Sequence, residues 1–407
     1  MIKKIIITLA IFGAASMFAE EAAPAPQVAT AQAPASEKKD DKKFEINARV
    51  QARAVMGQSK SGYAKETDFD TVDFNLRRIR LTAKYEAAPW AGGVIDIKGE
   101  NLVKLSSSPL TAIGAIQEAN IWLKPGLLGS VIKIGQFKIP FLREHLTSSA
   151  DMVVNERAFS EKAIQQMDIG LLLQLQPLEL ISDSWGKKLD LAFSVTNGDG
   201  SGQDGVGIKN GEITSSNTSI AKLINWRVQV NPFGGIMKDG KETSWKDGME
   251  IFQENAVLWS IGAAGAYSNG SEAGLFVADK SFSGHTFDTT FTAFGIYVNG
   301  EFTMFSGNAV ALGYTSYQAT LGYNLKLGPV YLMPVVRYNS QSYDKSDDGV
   351  IDDKEKLGSI WIGANLFAMK HDLKLQVFYN LASDATGTAI NKDVLYFQVQ
   401  TNIGKKI

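Results

Sequence analysis

The chain has 407 residues, 44% of them hydrophobic, and a mean hydropathy of −0.07, which suits either a large soluble fold or a membrane barrel with a polar interior. After the first twenty positions no apolar run reaches the roughly 18 residues of a spanning helix. There is no cysteine, so disulfides, thiol catalysis and thiolate metal sites are excluded. The net charge of −2 offers no general basic surface for nucleic acid. The histidines, His145, His285 and His371, lie far apart and read as loop or turn residues.

Residues 1–19 read as a signal peptide. Lys3 and Lys4 form its charged end, Ile5–Phe12 its apolar core, and small residues lead to a cut after Ala19. Residues 20–42 form a flexible periplasmic spacer, Ala/Pro-rich and then charged, with no face to pack. The third unit, 43–407, is a barrel. From Phe44 the pattern alternates: Phe44, Ile46, Ala48, Val50, Ala52, Ala54 and Met56 on one face, Glu45, Asn47, Arg49, Gln51 and Arg53 on the other. This strand is about twice the length usual in soluble sheets and near that needed to cross a bilayer at a tilt. The stretch 71–86 repeats the alternation with one phase slip at Arg77–Arg78, as a β-bulge produces. The slip leaves Arg78, Arg80, Thr82 and Lys84 on the polar face.

Further strands are expected at 92–101, 115–124, 130–138, 168–177, 187–197, 219–231, 255–267, 286–298, 301–306, 314–325, 329–340, 358–368, 372–381 and 393–403. That makes sixteen, an even number as closed bacterial barrels require. Turn chemistry marks short connections at Ala87–Pro89, Pro125-Gly126, Asn299-Gly300, Leu327–Pro329 and Met369–Asp372. Long polar connections fall at 57–70, 139–167, 198–217, 268–285 and 341–357. An insert at 232–253 is out of place on the short-turn side. The fold expected is an all-β, 16-stranded antiparallel transmembrane β-barrel.

The stretch after Pro140 is unlike the other connections. It mixes Phe141, Leu142, Met152, Val153, Val154 and Phe159 with Arg143, Glu144, Glu156 and Arg157. A long connection with its own apolar residues can fold back against something, here the inside of the barrel.

The run Gly135-Gln136-Phe137-Lys138-Ile139-Pro140-Phe141, then Glu144, Leu146-Thr147-Ser148-Ser149 and Glu156-Arg157, resembles the signature of the phosphate-selective porin O and P family. Leu76–Leu81, Asn197-Gly198, Asn231-Pro232, Gly322-Tyr323 and Arg337-Tyr338 add to the likeness, which covers 43–407. The resemblance implies a homotrimeric outer-membrane porin whose inward-folded third long loop is a constriction loop. It also implies arginines along the path and lysines at the constriction that bind phosphate or other small anions.

Seven of nine arginines lie between 49 and 157: Arg49, Arg53, Arg77, Arg78, Arg80, Arg143 and Arg157. Fixed guanidinium groups in a low-dielectric wall attract anions and pass them between weak sites. Lys133, Lys138 and Lys162 are candidates to join them. The other reading of the same residues is pairing with Glu45, Asp73, Glu118, Glu144 and Glu156, which stiffens the wall. The loop carries no compact lysine cluster.

A second constellation is the run 344–355, which has the EF-hand spacing: Asp344, Ser346, Asp348, the Val350 carbonyl, Asp352 and Glu355, with Gly349 at the sharp turn. It is either a calcium loop lacking its usual helices or a solvated acidic loop. No other cofactor is expected. Catalysis is not expected, because His145 near Ser148 and Ser149 lacks an orienting third group. The expected function is passive passage of small solutes, anions above all, across the bacterial outer membrane. A general porin, or a receptor or adhesin displayed on a barrel, is the alternative.

Overall fold

The structure is a computed structural model. It describes residues 42–57, 72–102, 116–198, 207–209, 212–214, 223–234, 236–238, 241–243, 251–252, 257–269, 281–307, 312–345, 353–384 and 394–406. The signal peptide expected over 1–19, and the spacer expected over 20–42 except Lys42, lie outside the described residues.

Alternation this persistent can satisfy its backbone groups in lipid only by closing the sheet on itself. The barrel strands are β1 (Lys43–Met56), β2 (Val72–Ala88), β3 (Ala91–Lys98), β4 (Ile116–Leu123), β5 (Val131–Lys138), β6 (Met167–Leu175), β7 (Leu189–Thr196) and β8 (Leu223–Val230). The circuit continues with β9 (Leu258–Asn269), β10 (Ser281–Ala293), β11 (Ile296–Gly307), β12 (Leu312–Tyr323, resuming over Leu325–Leu327), β13 (Val330–Lys345), β14 (Asp353–Met369), β15 (Leu373–Asp384) and β16 (Val394–Lys406). Each strand pairs antiparallel with the next, and β1 pairs with β16 from Glu45↔Lys406 to Met56↔Leu395, which closes the sixteen-stranded ring.

The polarity is inverted relative to a soluble protein. Phe74, Ile95, Ile121, Leu171, Phe287 and Ile362 are exposed on the outer face, whereas Gln51, Asn225, Asn365, Gln376, Gln398 and Gln400 are buried. Lipid replaces water outside, so apolar side chains cost nothing there, and the polar parity turns to the lumen.

Most expected strands appear at the expected places. The Asn299-Gly300 turn does not. The hairpin turns at Phe294 and Gly295, both at positive φ (51° and 84°), as a two-residue hairpin of mirror-image type requires. Asn299 and Gly300 lie mid-strand, and the Asn299 side chain donates to Thr290 Oγ1 at 2.8 Å. A turn at Asn299 would leave a strand of about six residues, too short to cross, whereas the observed register pairs Phe282↔Gly307 through Ala293↔Ile296. The connections expected over 268–285 and 341–357 are shorter than read, because β9, β10, β13 and β14 extend into them.

Candidate functional site

The bulge read from the phase slip sits where it was expected. Gln51 pairs with Arg78 and Ala52 with Leu76, leaving Arg77 as the extra residue. A bulge re-aims side chains that alternation would send apart. Here two consecutive arginines turn toward one acceptor, Glu156, in the segment between β5 and β6. Arg77 grips it with two bonds, Nε to Oε1 at 2.5 Å and Nη2 to Oε2 at 2.7 Å. Arg53 Nη1 reaches Oε1 at 2.5 Å, and Arg78 Nη2 stands 3.6 Å from Oε2 while its Nη1 donates to Gln51 at 2.9 Å. Burial alone would raise the Glu156 pKa. The Arg77 hydrogen bonds and the charges of Arg78, Arg77 and Arg53 outweigh it and hold the carboxyl at about 2.

These groups border a cavity of about 1010 Å³, whose other lining residues include Arg80, Lys98, Glu100, Arg157 and Glu161. Arg80 donates to Glu100, whose second oxygen takes the Ile79 amide at 2.9 Å. Six basic and three acidic side chains line the space, an excess of three positive charges. Arg49 adjoins it through Ser149, at 2.6 Å.

The segment 139–166 is held by side chains from many strands. Its backbone carbonyls accept from the barrel: Ser149 from Gln51, Ala150 from Lys374 and Gln400, Met152 from Lys374, Val153 from Asn365 and Glu156 from Arg337. Arg337 also donates to Glu144 at 2.8 Å. Glu301 accepts from the Glu144 amide and from Ser160. Ile139, Phe141, Leu142 and Ile164 bury against Leu223, Ala264, Phe282, Phe305 and Tyr314. Arg227, doubly bonded to Asp288 at 2.7 and 2.8 Å, also donates to the Phe141 carbonyl.

Of the candidate residues, Arg53, Arg77, Arg78, Arg80 and Arg157 are brought together at the cavity. Arg157 is also tied to the Glu144 and Thr147 carbonyls. Arg143 instead bonds Gln229 at 3.1 Å, Lys138 donates to the Leu146 carbonyl, and Lys133 stands 3.9 Å from Glu118. The Lys162 side chain lies outside the described residues. Carboxylates fix these arginines, and three guanidiniums share the one carboxylate of Glu156. The expected acid partners Glu45 and Asp73 bond Asn47 and Asn75.

In the EF-hand-like run, Asp344 and Glu355 belong to the β13–β14 ladder, opposite Lys354 and Tyr343. Ser346, Asp348, Val350 and Asp352 lie outside the described residues. His145 Nε2 meets the Glu161 carbonyl at 3.0 Å, while Ser149 holds Arg49 and Ser148 caps the Ala150 amide.

Three groups were missed in the sequence. Arg227 and Arg337 stand on the lumen parity of their strands, where alternation alone signals them. Lys98 lies opposite Arg80 in the ladder, which only the register reveals.

No family model matches the chain, and no curated protein matches it either. Solved structures do. OmpF of Salmonella typhi, in complex with daunomycin, aligns with a TM-score of 0.53 at 11% identity, over 89% of this chain and 98% of that one. The outer-membrane channel DcaP of Acinetobacter baumannii aligns at 0.50 and 14% identity, over 90% and 99%. OprD of Pseudomonas aeruginosa aligns at 0.44 and 12%, over 90% and 94%. The chain therefore has the closed sixteen-stranded antiparallel barrel fold seen in outer-membrane porins.

Proposed function

We propose that the chain is a passive outer-membrane porin that favours small anions such as phosphate or polyphosphate, with segment 139–166 as its constriction loop and the arginine-lined cavity as its path. One observation carries the preference: three guanidiniums share the single carboxylate of Glu156, so the cavity keeps an excess of positive charge. Fixed charges of one sign in a low-dielectric wall raise the local concentration of the opposite ion. The segment's bonds to side chains of β1, β11, β13, β14, β15 and β16 support its placement across the lumen.

The proposed assembly is a homotrimer. Strands β3 to β8 are only 8 or 9 residues long. Eight residues tilted near 45° cover roughly 19 Å, short of the ~25 Å apolar band of such barrels. A neighbouring copy on that side removes the mismatch with lipid.

The test is the reversal potential of the purified protein in a planar bilayer under a KCl gradient, with phosphate then added. Anion selectivity with block by low phosphate supports the reading. Weak or cation selectivity without block reduces the function to general diffusion, and ligand capture without conductance turns it to a displayed receptor.

A further inference from the structure

The lumen wall opposite the arginines breaks the polar rule. On β13 and β14, Met333, Val335, Trp361 and Phe367 share the inward parity of Arg337, Asn339, Ser359 and Asn365, and on β15 Phe378 shares that of Lys374 and Gln376. Large apolar groups facing a water-filled channel are costly unless something covers them. All five are buried. Part of the cover is Val153 and Val154 of segment 139–166. Ile251 and Phe252 also cover them among the described residues; they belong to the β8–β9 connection at the short-turn end, the insert the sequence places on the wrong side of the barrel.

Phe252 occupies a socket of aromatic edges. Its ring centroid lies 5.0 Å from Phe367, 5.1 Å from Tyr331 and 5.2 Å from His371, and the Lys370 ammonium sits 5.7 Å over its face. Lys370 and His371 belong to the β14–β15 turn, so a connection leaving at β8 is seated six strands away around the ring. The Asn324 amide donates to the Ile251 carbonyl at 2.9 Å. Between Ile251 and segment 139–166 there remains a gap of about 30 Å³, bordered by Arg143, Glu144, Met152 and Arg337. That is room for no more than one or two water molecules.

We infer that Ile251 and Phe252 form the second wall of the constriction and set the pore's size limit. They enter from the short-turn mouth, seal the β12–β15 half of the lumen against segment 139–166, and leave the arginine-lined half as the route. This inference rests on the proposed porin function, and the experiment separates the two. Native protein and the I251A/F252A variant are compared by single-channel conductance in planar bilayers and by swelling of liposomes in sugars of increasing size. Folding is monitored by the heat-dependent gel mobility of the barrel.

The expected result is a folded variant with conductance raised about twofold and entry of sugars that the native channel excludes. A folded variant with native conductance and native exclusion overturns the inference while leaving the porin function intact. A native protein that does not conduct overturns the porin function instead. If I251A/F252A fails to fold, F252A alone decides, since it takes the ring out of its aromatic socket and leaves Ile251 and the Asn324 bond in place. Higher conductance in F252A supports the second wall, and native conductance with native sugar exclusion refutes it.

Discussion

Replacing Glu156 with Gln isolates the charge of the cavity from its shape. Gln keeps the volume and one carbonyl acceptor for Arg77, while the excess of positive charge at the cavity rises by one. The segment stays anchored, because Arg337 binds the Glu156 backbone carbonyl and Lys374, Asn365 and Gln400 bind other carbonyls. A cavity of about 1010 Å³ has an equivalent radius of roughly 6 Å, which is the distance from wall charge to a passing ion. In water-like dielectric that separation is worth ~0.7 kcal/mol, screened to ~0.4 at 0.1 M salt. Anions gain and cations lose that amount, so the anion/cation permeability ratio of E156Q rises about three- to fourfold. At 1 M salt the same arithmetic leaves about 1.4-fold. Reversal potentials at the two ionic strengths measure both. A ratio that is unchanged or lower at 0.1 M, in a channel of normal conductance, refutes the claim that this cavity is the ion path.

Four other outcomes follow from the structure. The Arg227–Asp288 pair is almost completely enclosed, so R227M, which strands a buried carboxylate, lowers barrel stability by ~3–5 kcal/mol, and R227M/D288L recovers much of it in urea unfolding. Gly135 holds φ +119°, and an added Cβ would meet the Ala119 carbonyl at 2.4 Å, so G135A cuts the folded yield on gel-shift assay. On acidification, the Glu156 anchor is complete above the ordinary carboxylate pKa of 4.5 and is lost only as pH falls through about 2. Open-channel noise at pH 4 therefore matches that at pH 7. Burial, then the charge of Arg157, holds His145 neutral down to about 3, so it withdraws stability progressively as pH drops from 6.5. H145Q flattens that part of the thermal midpoint profile.

Much of the barrel was legible because lipid and lumen impose opposite demands on alternate residues. Even the bulge at Arg77 showed as a slip of parity before any register was known. Asn299-Gly300 misled because local turn chemistry was weighed without the length each strand needs to cross. The cavity was half legible: parity marks Arg53, Arg78 and Arg80, but that Glu156 gathers three of the arginines depends on contacts 79 and 103 positions apart. The apolar lumen residues Met333, Trp361, Phe367 and Phe378 carried a readable signal, large hydrophobes on the polar parity, which means a covered wall. What covers them lies about 80 or more positions upstream and has no local signature.

The anchoring of segment 139–166 also orders events in time. The Ala150 carbonyl waits for Lys374 and Gln400, 224 and 250 positions later, and Gln51 waits for Gln400 across 349 positions. Contacts so distant in sequence form late, after the loop-closure entropy of the whole chain has been met. The nascent barrel therefore passes through a stage in which β13 to β16 have not yet arrived and the segment has only the part of its seat that β1 to β12 supply. Val153 and Val154, whose partners lie on β13 to β15, are then the part most exposed to chaperones, and a chain truncated after β12 would stall there as an unclosed sheet with a half-docked arm.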